Sequence, residues 1–257
     1  MKCLLMITGQ MRTFDKCFEN IKQNLINYNK NYEFDIYILT EYVQNDKSGK
    51  HSFKINVPFQ QFKKNIENTY HPFLKKIYIE SNENKINYPN VIINSNKKEI
   101  GPWKCLYRNH LIFEYLSNDN INLHTYDIFI RIRPDIILTT LIELQSINII
   151  DKNIHIVSGN KIRLNSWLHN RDWDTCVISN YDGILLFSKY YNFLLNIKKE
   201  NYKFDMESHF NFKGYWEKNT IDYSIIATQL FLYFIEDNDF NLLFDSPDYC
   251  FTEIIRN

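Results

Sequence analysis

The chain predicts an α/β fold, a mixed and mostly parallel sheet flanked by helices in a single domain. The first apolar run, Cys3-Leu4-Leu5-Met6-Ile7, stops at Thr8-Gly9-Gln10, as a buried strand does before a tight turn. A helix-periodic segment and a second apolar run, Asp35-Ile36-Tyr37-Ile38-Leu39-Thr40, come next. Strand, helix, strand with a helix-length crossover is the repeating unit of a parallel sheet. The 257 residues are 44% hydrophobic and 16% aromatic, enough to fill one large core.

The elements follow in order. Phe14, Phe18, Ile21, Leu25 and Tyr28 recur at three- and four-residue spacing, which predicts an amphipathic helix after the first strand. Residues 42–76 are polar and read as a loop with one helix over 59–70. Short strands are expected at 76–79 and 91–93. Gly101-Pro102 then opens a helical pattern through Trp103, Leu106, Tyr107, His110, Leu111, Phe113 and Leu116, since proline is tolerated in a first turn. Residues 126–133 form the strongest strand signal, stopped by Pro134. Further on, 154–157 reads as a strand, 166–180 as a Trp-rich polar loop, 182–187 as a strand, and 189–198 and 221–236 as helices. No repeat or linker divides the chain.

Thirty basic and thirty acidic residues cancel, so no net field draws the protein to nucleic acid. The five cysteines are scattered, without the spacing of a zinc site or a disulfide framework. The run Cys3 to Ile7 is too short for a signal peptide and no stretch is long enough to span a bilayer. A cytoplasmic protein is the expectation.

Chemistry concentrates at Tyr126-Asp127-Ile128-Phe129-Ile130-Arg131-Ile132-Arg133-Pro134-Asp135. Period-two alternation puts Ile128, Ile130 and Ile132 on one face and Phe129, Arg131 and Arg133 on the other. Pro134 leaves Asp135 just past the strand's carboxyl end, the edge where open α/β sheets bind ligands. A carboxylate there can hold a divalent cation, and the cation a diphosphate. The alternative is an Arg–Asp ion pair with no ligand.

Together, Ile7-Thr8-Gly9-Gln10-Met11-Arg12-Thr13-Phe14 and the later Arg131-Ile132-Arg133-Pro134-Asp135 resemble a set of GT-A-like glycosyltransferases, known from large DNA viruses, bacteria and some eukaryotes. These pair a Gly-Gln-x-Arg start with an Arg-x-Arg-Pro-Asp motif. The resemblance covers roughly the first 140 residues and extends weakly through Asp182-Gly183. It implies a GT-A (Rossmann-like) domain that moves a sugar from a nucleotide-diphosphate donor to a hydroxyl on a glycan or other acceptor. Residues 1–140 would be the nucleotide-sugar half and 141–257 the acceptor half. Arg133 stands where such enzymes usually carry the first acid of Asp-x-Asp, which loosens the expected dependence on Mn²⁺ or Mg²⁺. A sugar nucleotidyltransferase, or a catalytically weak sugar-nucleotide or glycan-binding module, is the competing reading.

By this resemblance Thr8, Gly9, Gln10 and Arg12 lie against the nucleotide, with Arg131 and Arg133 nearby and Asp135 as metal ligand and catalytic centre. The physics of the turn agrees, because glycine permits close backbone approach and arginine pairs with phosphate. Lys104 and Arg108, four apart, share a helical face that is either solvated or donor-binding. Asp182 is the candidate catalytic base or acceptor anchor, or else a turn aspartate. Glu207 and His209 are candidate second metal contacts. The segment Trp167-Leu168-His169-Asn170-Arg171-Asp172-Trp173-Asp174 suits an acceptor site, or a loop packed down by its tryptophans.

Overall fold

In the computed structural model the apolar runs become β1 (Lys2–Thr8), β2 (Glu33–Glu41), β3 (Leu74–Glu80), β4 (Ile128–Ile132), β5 (Ile136–Leu138), β6 (Asn153–Val157), β7 (Cys176–Ser179), β8 (Asn241–Phe244) and β9 (Thr252–Ile254). The residues described are 1–42, 57–80, 100–149, 152–157, 176–196, 234–235, 238–244 and 252–254. Among them, seven strands join in the order β3-β2-β1-β4-β7-β6-β8, and β5 and β9 form a separate antiparallel pair. β1 runs parallel to β2 and β4, β2 to β3, and β6 to β8; only β7 runs against its neighbours. This is the mixed, mostly parallel sheet that the sequence predicts.

Side chains alternate as the pleat requires. Along β1 and β4, Cys3, Leu5, Ile7, Ile128, Ile130 and Ile132 enter one core layer, and Leu4, Met6 and Phe129 the other. The first layer is covered by α1 (Phe14–Ile21), which runs on into a π-helical turn (Lys22–Ile26), and by α2 (Phe59–Tyr70). The second is covered by α3 (Ile100–Asn118) and α4 (Tyr181–Asn196). Pro102 sits in the first turn of α3. The helix ends on Asn120, whose φ of 54° lets the Ile121 amide turn back to the Leu116 carbonyl, the left-handed stop that asparagine tolerates. Each fully buried leucine or isoleucine contributes about 1.5–3 kcal/mol, so these two layers carry the stability of the sheet.

One element differs from its expected type. Residues 182–187 belong to α4, not to a strand, and the strand beside β4 is β7, from the segment read as loop. Asn180 decides the matter locally, because its side-chain oxygen accepts the Gly183 amide at 3.0 Å and caps the helix. Gly183 is required there, since a Cβ would stand 2.0 Å from Ser179 Oγ. The expected strand at 91–93, most of the helix over 221–236, the Trp167–Asp174 segment, Glu207 and His209 lie outside the described residues. Among the described residues, Cys3, Cys17, Cys105 and Cys176 form no disulfide. No helix among the described residues is long and apolar enough to cross a membrane.

The strand order places the site. From β1 the chain steps outward to β2 and β3, then returns past β1 to β4. The direction of winding therefore reverses between β1 and β4, and ligands of open α/β sheets bind in the crevice at such a switch, outside the strands' carboxyl ends.

Candidate nucleotide-binding site

Register brings four strand ends to one edge. Thr8 pairs with Leu39, Ile7 with Ile132, and Glu41 with Glu80. The turn after β1 and the Pro134 bend after β4 therefore meet across the switch point. Gly9 has φ +148°, and a Cβ on it would stand 2.9 Å from Pro134 Cδ. Only glycine lets the two segments close this far. The Gly9 amide also bonds the Leu39 carbonyl at 3.1 Å, tying the turn to β2.

A polar network lines this edge. Arg12 donates to Gln10 Oε1 through Nε at 2.9 Å and through a terminal nitrogen. Gln10 Nε2 donates to Glu41 Oε1 at 2.6 Å. The other Glu41 oxygen faces Arg108 Nη2 at 2.7 Å and Lys104 Nζ at 3.7 Å, and Arg108 Nε stands 3.9 Å from Glu80 Oε2. Burial alone would raise the Glu41 pKa, but Arg108, Lys104 and the bond from Gln10 hold it below the ordinary glutamate value. Beneath this row Arg131, 1% exposed, donates from Nε to Thr8 Oγ1 at 2.8 Å, and Thr8 donates to Asn109 Oδ1 at 3.0 Å.

Asp135 sits at the end of β4, 2% exposed. Its Oδ1 accepts Arg133 Nε and its Oδ2 accepts Arg133 Nη2, both at 2.9 Å. This is the two-pronged arginine–carboxylate pair, so the Arg–Asp ion pair weighed from the sequence does form.

The structure thus gathers Thr8, Gly9, Gln10, Arg12, Lys104, Arg108, Arg131, Arg133 and Asp135 at one edge. Three candidate residues sit in surroundings that the sequence did not suggest. Arg108 is neither solvated nor turned outward; at 4% exposure it is buried between Glu41 and Glu80 and bridges α3 to the ends of β2 and β3. Arg131 lies under the turn, holding Thr8.

Asp182 is the third departure. β7 runs antiparallel, with Ser179 opposite Phe129 and Ile154, so the start of α4 lies at the amino edge of β4, across the sheet from Asp135. There Asp182 is exposed, and the neighbouring Tyr181 ring packs on His124. Asp182 and Asp135 do not form one catalytic pair.

Glu41, Glu80 and Asn109 are site residues that the sequence reading missed. The signal was present for Glu41, an acid at the carboxyl end of a strand, the same feature that singled out Asp135.

Asp135, the expected ligand for Mn²⁺ or Mg²⁺, already has a charged partner as the chain folds. Both carboxylate oxygens are engaged by Arg133. Among the described residues, no group of three or more His, Cys, Asp or Glu side chains gathers to hold an ion.

No family model and no curated protein sequence matches the chain. Among the solved structures that superpose weakly on it are the following three. A glycosyltransferase involved in glycosylation of the major capsid of PBCV-1 shares 8% identity at TM-score 0.41, covering 95% of this chain and 82% of that one. The mannosyltransferase Ktr4p from S. cerevisiae shares 13% identity at TM-score 0.39, covering 76% and 60%. The bifunctional glycosyltransferase WbbM shares 12% at TM-score 0.36, covering 76% of this chain but only 34% of its own length. All three are glycosyltransferases. At such identities and scores, what this chain binds has to be read from its own residues.

Proposed function

We propose that the chain binds a nucleotide-diphosphate sugar in the β1/β4 crevice and transfers the sugar to a hydroxyl acceptor. One observation carries this reading. The network at the switch point holds five cationic side chains, Arg12, Lys104, Arg108, Arg131 and Arg133, against three carboxylates, Glu41, Glu80 and Asp135. The whole protein is formally neutral, so the excess of two positive charges is local. It suits a diphosphate.

The start of α1 reinforces it, because α1 follows the Gly9 turn at this same edge and helix N-termini favour anions. Transfer of a sugar leaves negative charge on the departing diphosphate, and fixed cations in a crevice stabilise that charge without reorganising. Glu41, kept ionised by Arg108 and Lys104, orients Gln10, and Gln10 orients Arg12. A binding module that holds the donor without turnover would use the same residues, and donor hydrolysis separates the two.

Arg12 gives the direct binding test. Arg12→Ala is expected to weaken binding of the cognate nucleoside diphosphate by about 1.5–3 kcal/mol and leave the nucleoside alone unchanged. Titration calorimetry with both ligands reads this. Equal losses for the two would mean that Arg12 shapes the turn and does not meet the diphosphate.

A further inference from the structure

Asp135 and Arg133 form a pair whose members differ in exposure. The carboxylate side chain is 3% exposed and the guanidinium side chain 19%, so the acid lies behind and the base stands toward solvent. Between them Pro134 fixes the backbone, and its ring packs against Gly9. The guanidinium is therefore held in plane by two charge-assisted bonds and in place by a rigid bend, beside the turn that carries Arg12.

A metal ion on Asp135 would have to share the carboxylate with a guanidinium that already takes one lone pair of each oxygen. It would set a divalent charge within a few ångströms of that guanidinium, in a partly dry site where like charges repel strongly. Arginine and a divalent metal are thus alternatives at this carboxylate. Guanidinium has the geometry to take phosphate oxygens directly.

We propose that Asp135 is a positioning residue that holds Arg133 at the crevice, and that Arg133 meets the diphosphate of the bound nucleotide where a metal on Asp135 otherwise would. This rests on the nucleotide-diphosphate reading above and adds how that group is held. Asp135 acts through Arg133 and does not itself touch the ligand.

The test is calorimetry of the full chain with ADP, GDP, UDP and CDP, each in EDTA and in Mn²⁺. At least one nucleotide is expected to bind in EDTA, with Mn²⁺ changing its affinity by less than about fivefold. Arg133→Gln should weaken that binding at least about tenfold in EDTA, as the loss of a charge-assisted phosphate contact implies. The same variant leaves Asp135 without its guanidinium, so binding to Arg133→Gln should gain a response to Mn²⁺. Adding Asp135→Asn should abolish that gain, a readout that a purely structural pair would not produce. If Arg133→Gln fails to fold, Arg133→Lys keeps a charge without the fork and is expected to lose affinity in the same metal-independent way.

Tightening of wild-type binding by Mn²⁺ of about fivefold or more, lost in Asp135→Asn, overturns the proposal while leaving the nucleotide reading intact. If none of the four nucleotides binds in either condition, the proposed function fails, and this proposal with it.

Discussion

Asp135→Asn is expected to lower sugar transfer at least about a hundredfold while the sheet stays assembled, the scale of losing one preorganised charge contact. The amide keeps Oδ1 as an acceptor for Arg133 Nε but sets an NH₂ group against Nη2, where the carboxylate now accepts at 2.9 Å. One of two bonds is lost and a donor faces a donor, so the guanidinium swings out of its plane. The core layer is expected to hold, because the substitution changes no apolar side chain of β1, β4 or β5. Turnover and thermal unfolding measured on the same preparation separate the two effects. Near-normal transfer by a well-folded Asp135→Asn variant would remove Asp135 from the account.

Gly9→Ala is the substitution expected to cost the most stability at the site, about 2–3 kcal/mol. Two independent constraints act on it. A φ of +148° is open to glycine and strained for any L side chain, and the new methyl would stand 2.9 Å from Pro134 Cδ. Pro134 cannot yield as the tip of a lysine could, because its ring is part of the backbone bend that places Asp135. Relief would have to come from separating β1 from β4, which opens the crevice. Denaturant unfolding should therefore show lower stability together with weaker nucleotide binding. A variant as stable as the wild type would show that the turn relaxes at no cost.

Much of this was legible in the sequence because the signals were local. The run ending at Gly9, the helix over 59–70, and the alternation in β4 each follow from burial on a two- or 3.6-residue period, and each appears as a strand or helix at the expected place. Residues 182–187 misled because Gly-Ile-Leu-Leu-Phe is apolar without interruption, and so short a run fits a buried strand or a buried helix equally. The deciding features were the Asn180 cap and the burial of Tyr190, Tyr191 and Leu194 further along.

The candidate site was half legible. Gly9, Arg12 and Asp135 stand beside sequence breaks that mark strand ends. Glu41 and Glu80 gain meaning only when parallel register sets them together beneath Arg108, a contact between segments far apart in the chain. The position of Asp182 depended on the direction of β7, which no local pattern reveals.

The most direct test of the central claim is the fate of nucleotide-diphosphate sugars incubated with the protein, followed by separation of nucleotide and sugar products. The account predicts that one donor of a panel is slowly converted to nucleoside diphosphate and free sugar without an acceptor, and that Arg12→Ala and Asp135→Asn each suppress this release. A full panel recovered intact, or pyrophosphate released from a nucleoside triphosphate in its place, would contradict it.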